Sequence, residues 1–381
     1  MTSDRVYVVV VDGCRPEEIG SGMMPRLQAQ RRRGTNYPRA CSLPVMETIP
    51  NHVMMMTGVR PDRSGVPANS IYDRQERDFR ELDRPGDLHF PTIIERLNRR
   101  GLTTGTVLSK EYLFGIFGTR ATHRWEPEPV IPVSGHAPDQ FTMDATLDII
   151  EEFDPHLVFV NLGDCDRAAH SDLSGTTLQA ARRAALTSAD TQVGRLVDKL
   201  DSTGRWARSM LVVLADHSMD WSLPDRQITL QPAMNADPLL AGGTVKIAQN
   251  GGADLLYWTG RSALRDEAVS RMRTLARDVP GVLAIRDPAM LRLDSRAGDL
   301  VAYCRSGWRL SDPAPVSNPI PGNHGHPATL PIPFFIAGGS TLVRRRFASS
   351  LSTHTIDVAP TVGRVFGLGG PRGGYDGSSR L

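Results

Sequence analysis

Cysteine is scarce in this 381-residue chain: Cys14, Cys41, Cys165 and Cys304 are all it has, and none falls in a CxxC pair. Neither a zinc ribbon nor a disulfide framework is therefore indicated. Neither sign of charge is in excess, since 44 Lys and Arg against 42 Asp and Glu leave a formal net charge of +2. Overall charge thus gives nucleic-acid binding no support. The basic run Arg31–Arg33 reads as a solvated helix end. No apolar run approaches the roughly 18 residues of a membrane span. The opening MTSDRVYVVVVDG also lacks the basic start, longer apolar core and small-residue cleavage site of a secretory signal. The expectation is a cytoplasmic protein with no membrane and no nucleic-acid partner. Internal repeats and low-complexity tracts are missing too.

What is there is a large potential core: 40% of the residues are hydrophobic. Short β-branched runs at Val6–Val11, Leu157–Leu162 and Met210–Ala215 read as buried strands. Helical patterns lie between them. Met143, Leu147 and Ile150 precede the stop Asp154-Pro155, and Leu178, Ala181, Ala185, Leu196 and Leu200 mark a longer helix. Pro91–Arg99 is a further candidate. This alternation predicts an α/β fold with a mostly parallel central sheet and helices on both faces. Residues 224–320 carry a second α/β pattern, with "DLLYWTG", a helix near Asp266–Arg277, "GVLAIRD" and "DLVAYCRSGW". We read them as a small inserted cap, leaving 1–223 and 321–381 as the core. The core resumes through "PIPFFIAGG" and "THTIDVAPTVGRVFG".

In open α/β sheets, ligands bind beyond the carboxyl ends of the strands. Asp12 follows the first strand, Asp164 and Asp166 follow the second, and Asp216-His217 follows the third. One such acid is usually a turn residue or cap; three, two of them with histidines close behind, are harder to explain that way. Asp166 and His170 share a face if helical and can grip one metal. His324 lies in "GNHGH". Mixed carboxylates and imidazoles suit Zn²⁺ better than Mg²⁺. His52, His89, His123, His136 and His354 read as surface or hydrogen-bonded residues, and His326 as ambiguous. In "VMETIPNHVMMMTG", Pro50 is suited to open a short helix that Gly58 stops. Thr48 would then lie just outside the positive helix end, as a cap or as a nucleophile.

Six separated motifs, "VVDGCRPEEI", "METIPNHVMMMTGVRPDRSG", "NSIYD", "NLGDCDRAAH", "LADHSMDW" and "GNHGH", resemble the alkaline phosphatase superfamily. The resemblance is to its nucleotide pyrophosphatase/phosphodiesterase branch and relatives such as phosphonoacetate hydrolase. It implies an alkaline-phosphatase-like fold and two Zn²⁺ ions. Asp166, His170 and His324 would hold one. Asp12, Asp216 and His217 would hold the other, with Thr48 bridging toward the substrate. Thr48 would be the nucleophile, forming a covalent phospho-threonine, and Asn69 would bind a phosphoryl oxygen. The implied substrate is a small phosphate ester.

Within that superfamily, "CSLPV" places its proline one position late for the Cys-x-Pro-x-Arg motif of sulfatases and lacks the arginine. A phosphonoacetate hydrolase-like C–P bond hydrolase is an alternative, because "VLSKEYLFGIF" resembles that enzyme's lysine-bearing segment. Lys110 matches one substrate-binding lysine, and Tyr112 stands where a second would be. A non-catalytic phosphate-ligand-binding protein is an alternative of another class, although the expected ligands and the nucleophile are all present. Because Asn69 is neutral, the expectation is a diester or nucleotide-type pyrophosphate rather than a monoester, whose extra charge favours a further cation. Arg60 and Arg63 are the candidates for such a cation, with solvated roles as the plainer reading.

Overall fold

The computed structural model describes residues 4–381 except 133, 173–178 and 312–320. Leu178 of the expected long helix and the expected boundary at 320 therefore lie outside the described residues. The central sheet has eight strands. Its middle is built by Ser209–Leu214, Arg5–Val11, Leu157–Leu162 and Thr104–Leu108, all parallel to their neighbours. His123–Trp125 extends one edge in parallel, while Phe334–Gly338 adds antiparallel to Ser209–Leu214 on the other side. The three expected strands are buried on both faces, which is why they read as continuous apolar runs rather than alternating ones.

Helices cover this sheet in two groups. Asp139–Phe153 and Ala180–Ser202 pack together, and Thr48–Thr57 packs with Val358–Val365. A separate four-stranded antiparallel sheet runs Val245–Asn250, Ala253–Trp258, Leu300–Cys304, Val282–Arg286. The Arg265–Asp278 helix covers it, and Leu256, Trp258, Met272 and Leu300 fill its own core. Sequence reading missed the Val245–Asn250 strand because Lys246, Gln249 and Asn250 interrupt its apolar pattern. This sheet meets the main body at the Ser70–Asp73 strand. The Asn250 side chain accepts from Ser70 N at 2.8 Å and donates to Ser70 O at 3.0 Å.

The Thr48–Thr57 helix begins two residues before the expected start, so Pro50 stands at its third position. Its missing N–H still costs nothing there, because the first-turn donors have no helical partner. Gly58 ends the helix with φ 71°, as expected. Thr48 is thus the first helical residue and Glu47 flanks it, with no side-chain capping bond. The capping role is removed, and the Thr48 hydroxyl is left to other partners. Among the described residues, no helix is long and apolar enough to cross a membrane.

Candidate active site

Three parallel strands end at one place, and each delivers an acid there. Asp12, Asp166 and Asp216 are all fully or almost fully buried. Gly13 N and His217 N both donate to Asp216 Oδ1, at 3.1 and 3.0 Å. Asn161 Nδ2 donates to Asp12 Oδ2 at 2.8 Å. The remaining oxygens, Asp12 Oδ1, Asp166 Oδ1 and Asp216 Oδ2, are buried without a hydrogen bond. Buried anions without partners are costly, so a cation is the natural complement.

Imidazoles crowd these oxygens. His170 Nε2 lies 3.2 Å and His324 Nε2 3.6 Å from Asp166 Oδ1. His217 Nε2 lies 3.4 Å from Asp216 Oδ2 and 3.8 Å from Asp12 Oδ1. The far nitrogens are engaged by backbone: His217 Nδ1 with Ser218 O at 3.0 Å and His324 Nδ1 with Met46 O at 3.1 Å. A carbonyl can only accept, so these contacts assign the proton to Nδ1 and leave Nε2 with a free lone pair. The donor set fits a divalent metal with N and O preferences.

The geometry groups the ligands differently from the expected sets. Donor atoms of Asp166, His217 and His324 converge within 4.8 Å, as do those of Asp12, His52 and Asp216. His217 thus stands between the two expected sets, its ring stacked on His324 at 3.7 Å between centroids. His52 is the surprise. It is wholly buried, with Nδ1 2.8 Å from Thr48 O and Nε2 3.1 Å from Asn161 Nδ2. The carbonyl fixes Nδ1–H, and Nε2 accepts from the amide. Both nitrogens are committed, so His52 braces the helix start rather than offering a lone pair. Burial pushes its pKa down to about 4, which keeps the ring neutral.

Thr48 Oγ1 lies 3.3 Å from His217 Nε2 and 3.4 Å from Lys110 Nζ. Lys110 is fully buried, with Nζ 2.8 Å from Asp12 Oδ2 and 2.9 Å from Asp166 Oδ2. Burial opposes its charge, but the two carboxylates hold the ammonium above its ordinary pKa. Burial also works against the Asp166 anion, yet Lys110 and the histidines hold that carboxyl well below the usual range. Asp12 goes the other way: burial and the Asp216 carboxylate push it up to about 7.

Asn69 Oδ1 accepts from Ile49 N at 2.8 Å, so the amide NH₂ is its remaining hydrogen-bonding group. Glu47 Oε2 fixes Asn69 N at 2.8 Å. Thr48, Asn69, Tyr112, His170 and His324 line a cavity of about 210 Å³, to which Arg167 and Gln249 of the Val245–Asn250 strand contribute. Arg167 follows Asp166 directly, and sequence reading gave it no role. Arg63 turns away, pairing with Asp376 Oδ1 at 3.3 Å and lying over Phe90. It supplies no charge to the site.

The type I phosphodiesterase / nucleotide pyrophosphatase family model matches residues 6–326. The bis(5'-adenosyl)-triphosphatase ENPP4 of Bos taurus is 21% identical over 380 residues, covering 96% of this chain and 78% of that protein. The human ectonucleotide pyrophosphatase/phosphodiesterase family member 1 is 24% identical over 225 residues, covering 55% of this chain and 23% of that one. Murine ectonucleotide pyrophosphatase/phosphodiesterase 5 superposes with a TM-score of 0.79 at 18% identity, over 96% of this chain and 95% of that one. Phosphonoacetate hydrolase from Sinorhizobium meliloti 1021, in complex with phosphonoformate, gives 0.72 at 19% identity, over 95% and 96%. With 321 residues under the family model, this chain belongs to the type I phosphodiesterase / nucleotide pyrophosphatase family.

Proposed function

We propose that the protein is a zinc-dependent hydrolase of phosphate esters, acting on diesters or nucleotide-type pyrophosphates through attack by Thr48 Oγ1. The observation that carries this reading is the position of that hydroxyl. It stands at the first turn of a buried helix, between His217 Nε2 at 3.3 Å and Lys110 Nζ at 3.4 Å. Asp166, His170 and His324 would hold one Zn²⁺; Asp12, Asp216 and His217 would hold the other. Bound there, the ions would supply Lewis-acid activation of the hydroxyl and charge stabilisation.

The chain's own residues do the rest. His52 and Asn161 fix the Thr48 carbonyl and Asp12, so the attacking group is positioned before substrate arrives. The helix N-terminus and the Asn69 amide stabilise the phosphoryl oxygens as charge develops. Attack on phosphorus forms a Thr48 phosphodiester and breaks the bond to the leaving alcohol or phosphate, which takes up the hydroxyl proton; water then attacks the same phosphorus, releases the phosphate monoester and returns a proton to the Thr48 oxygen. Residues 224–320 act as an inserted cap that shapes the cavity through Gln249 and Asn250.

The names of the matched relatives, a triphosphatase and pyrophosphatase/phosphodiesterases, support the ester reading. The murine relative was also solved as an inactive threonine-to-alanine variant with AMP. A second reading, hydrolysis of a carboxylated phosphonate, has the buried Lys110 ammonium beside Thr48 in its favour. A substrate panel with zinc separates them: bis(4-nitrophenyl) phosphate, a nucleotide pyrophosphate, 4-nitrophenyl phosphate and phosphonoacetate. Turnover of the first two above the others is expected. Phosphonoacetate alone turning over would install the second reading, and no turnover at all would favour a non-catalytic binding protein.

A further inference from the structure

Arg167 has a strong charge, a cavity in front of it and little to hold it. It lines the cavity that contains Thr48, on the side of Tyr112 and Glu81. Its Nη2 donates to Tyr112 Oη at 3.3 Å, and the guanidinium lies 5.6 Å from the centroid of that ring. Among the described residues its one ion-pair contact is Asp166 Oδ2, at a long 3.9 Å. Asp166 is already engaged by Lys110 and His170. Arg167 Nε is buried with no hydrogen bond at all. Glu81 faces the same cavity but makes no ion pair with Arg167 among the described residues. The other nearby cation, Lys110, is spent on Asp12 and Asp166 behind the cavity wall. A guanidinium held by one tyrosine oxygen, with its Nε left without a hydrogen bond, is matched by a carboxylate or a phosphoryl group.

We propose that Arg167 receives a second anionic group of the substrate, so that preferred substrates carry a carboxylate or a further phosphoryl group close to the phosphorus attacked by Thr48. This rests on the phosphoryl-transfer reading above and narrows its substrate class. Tyr112 orients the guanidinium; Arg167 is the specificity residue.

The test is calorimetric binding to the zinc-loaded protein of three probes without an ester bond, methylphosphonate, phosphonoacetate and methylenediphosphonate, with the phosphonoacetate titration repeated in Thr48→Ala so that turnover cannot contribute to the heat. The second and third add a carboxylate and a phosphonate to the first, so their relative affinity tells which anion the site takes. Wild type should bind one or both about tenfold more tightly than methylphosphonate, the scale of a charge-assisted pair. Arg167→Gln should erase that preference and leave methylphosphonate within about twofold, and Arg167→Lys should keep part of it. Tyr112→Phe, which removes only the anchor, should lower the preference without abolishing it. Equal affinities in wild type would overturn the proposal. So would a preference that survives Arg167→Gln, which would assign it to the metals. Turnover of bis(4-nitrophenyl) phosphate is scored separately, so loss of the esterase reading and loss of the anion preference are distinct results.

Discussion

Lys110 Nζ lies 2.9 Å from Asp166 Oδ2, and neither side chain has meaningful access to solvent. The same ammonium touches Asp12. The lysine therefore ties together acids that the family resemblance assigns to two different metals. Replacing it with methionine leaves two buried carboxylates without their cation. Lys110→Met should destabilise the metal-free protein by about 3 kcal/mol. Zinc should recover much of that loss, so the melting-temperature gap between metal-free and zinc-loaded protein should widen. An unchanged gap would mean that the lysine does not share the acids with metal.

Thr48→Ala should abolish turnover and leave the fold intact. The hydroxyl makes no capping bond, so the stability change should stay within about 1 kcal/mol. Zinc content should hardly change. The rate should fall by several orders of magnitude because the covalent step is gone. Substantial residual turnover in purified variant protein would mean that water attacks directly.

Protein purified without chelator should contain close to two equivalents of zinc. Chelation should lower the melting temperature, since ligands that bind only the folded state stabilise it by mass action. Elemental analysis with a parallel melting curve checks both. Full activity with magnesium in place of zinc would defeat the assignment.

Zinc affinity should fall as pH drops below about 7. Asp12, raised to about 7 by burial and Asp216, holds a proton there that the metal must displace. Below that point affinity should decline by up to about tenfold per pH unit. The sign for stability follows from the same group. Between about pH 4 and 7 the folded metal-free chain keeps a proton that the unfolded chain has released. The Asp12 contribution therefore weakens folding as pH rises across that window. Competition titrations with a zinc indicator at pH 6, 7 and 8 measure the first effect, and a flat profile would contradict it.

An aryl diester should exceed the matching monoester in kcat/KM. Asn69 could offer a phosphoryl group only a neutral amide, and Arg63 is turned toward Asp376. Lys110 limits the margin because its charge lies 3.4 Å from Thr48 Oγ1. A clear monoester preference would show that this buried charge, rather than Asn69, decides the choice.

The placement of Asp12, Asp216, His217 and Thr48 was legible because they follow strands or start a helix, and that of Asp166 and His170 because their spacing of four falls within the Asp164–Ser171 helix. What was not legible depended on long-range packing. Lys110 matches a substrate-binding lysine in sequence, and its pairing with Asp12 and Asp166 emerges only when the strands bring those acids against it. His52 reads as a surface or hydrogen-bonded residue, and it is the second: Asn161, 109 positions away, closes on its ring. Arg167 is hidden in plain view beside a ligand, since one position along a helix changes the face presented. The helix start shifted by two residues because Pro50 is tolerated anywhere in the first turn.

Asn51 lies one turn into the Thr48–Thr57 helix. Its Nδ2 donates to Leu43, Val45 and Glu47 carbonyls at 3.0–3.1 Å, and its Oδ1 accepts from Leu43 N and Thr355 Oγ1. The segment leading into Thr48 is thereby fastened to the core from both sides. Local opening there must break all of these bonds at once, so its amides should exchange with deuterated solvent only when the whole domain unfolds. An inhibitor that needs this wall to yield will find it rigid. Selectivity has to be sought across the cavity, at Ser70 and at Gln249 and Asn250 of the Val245–Asn250 strand.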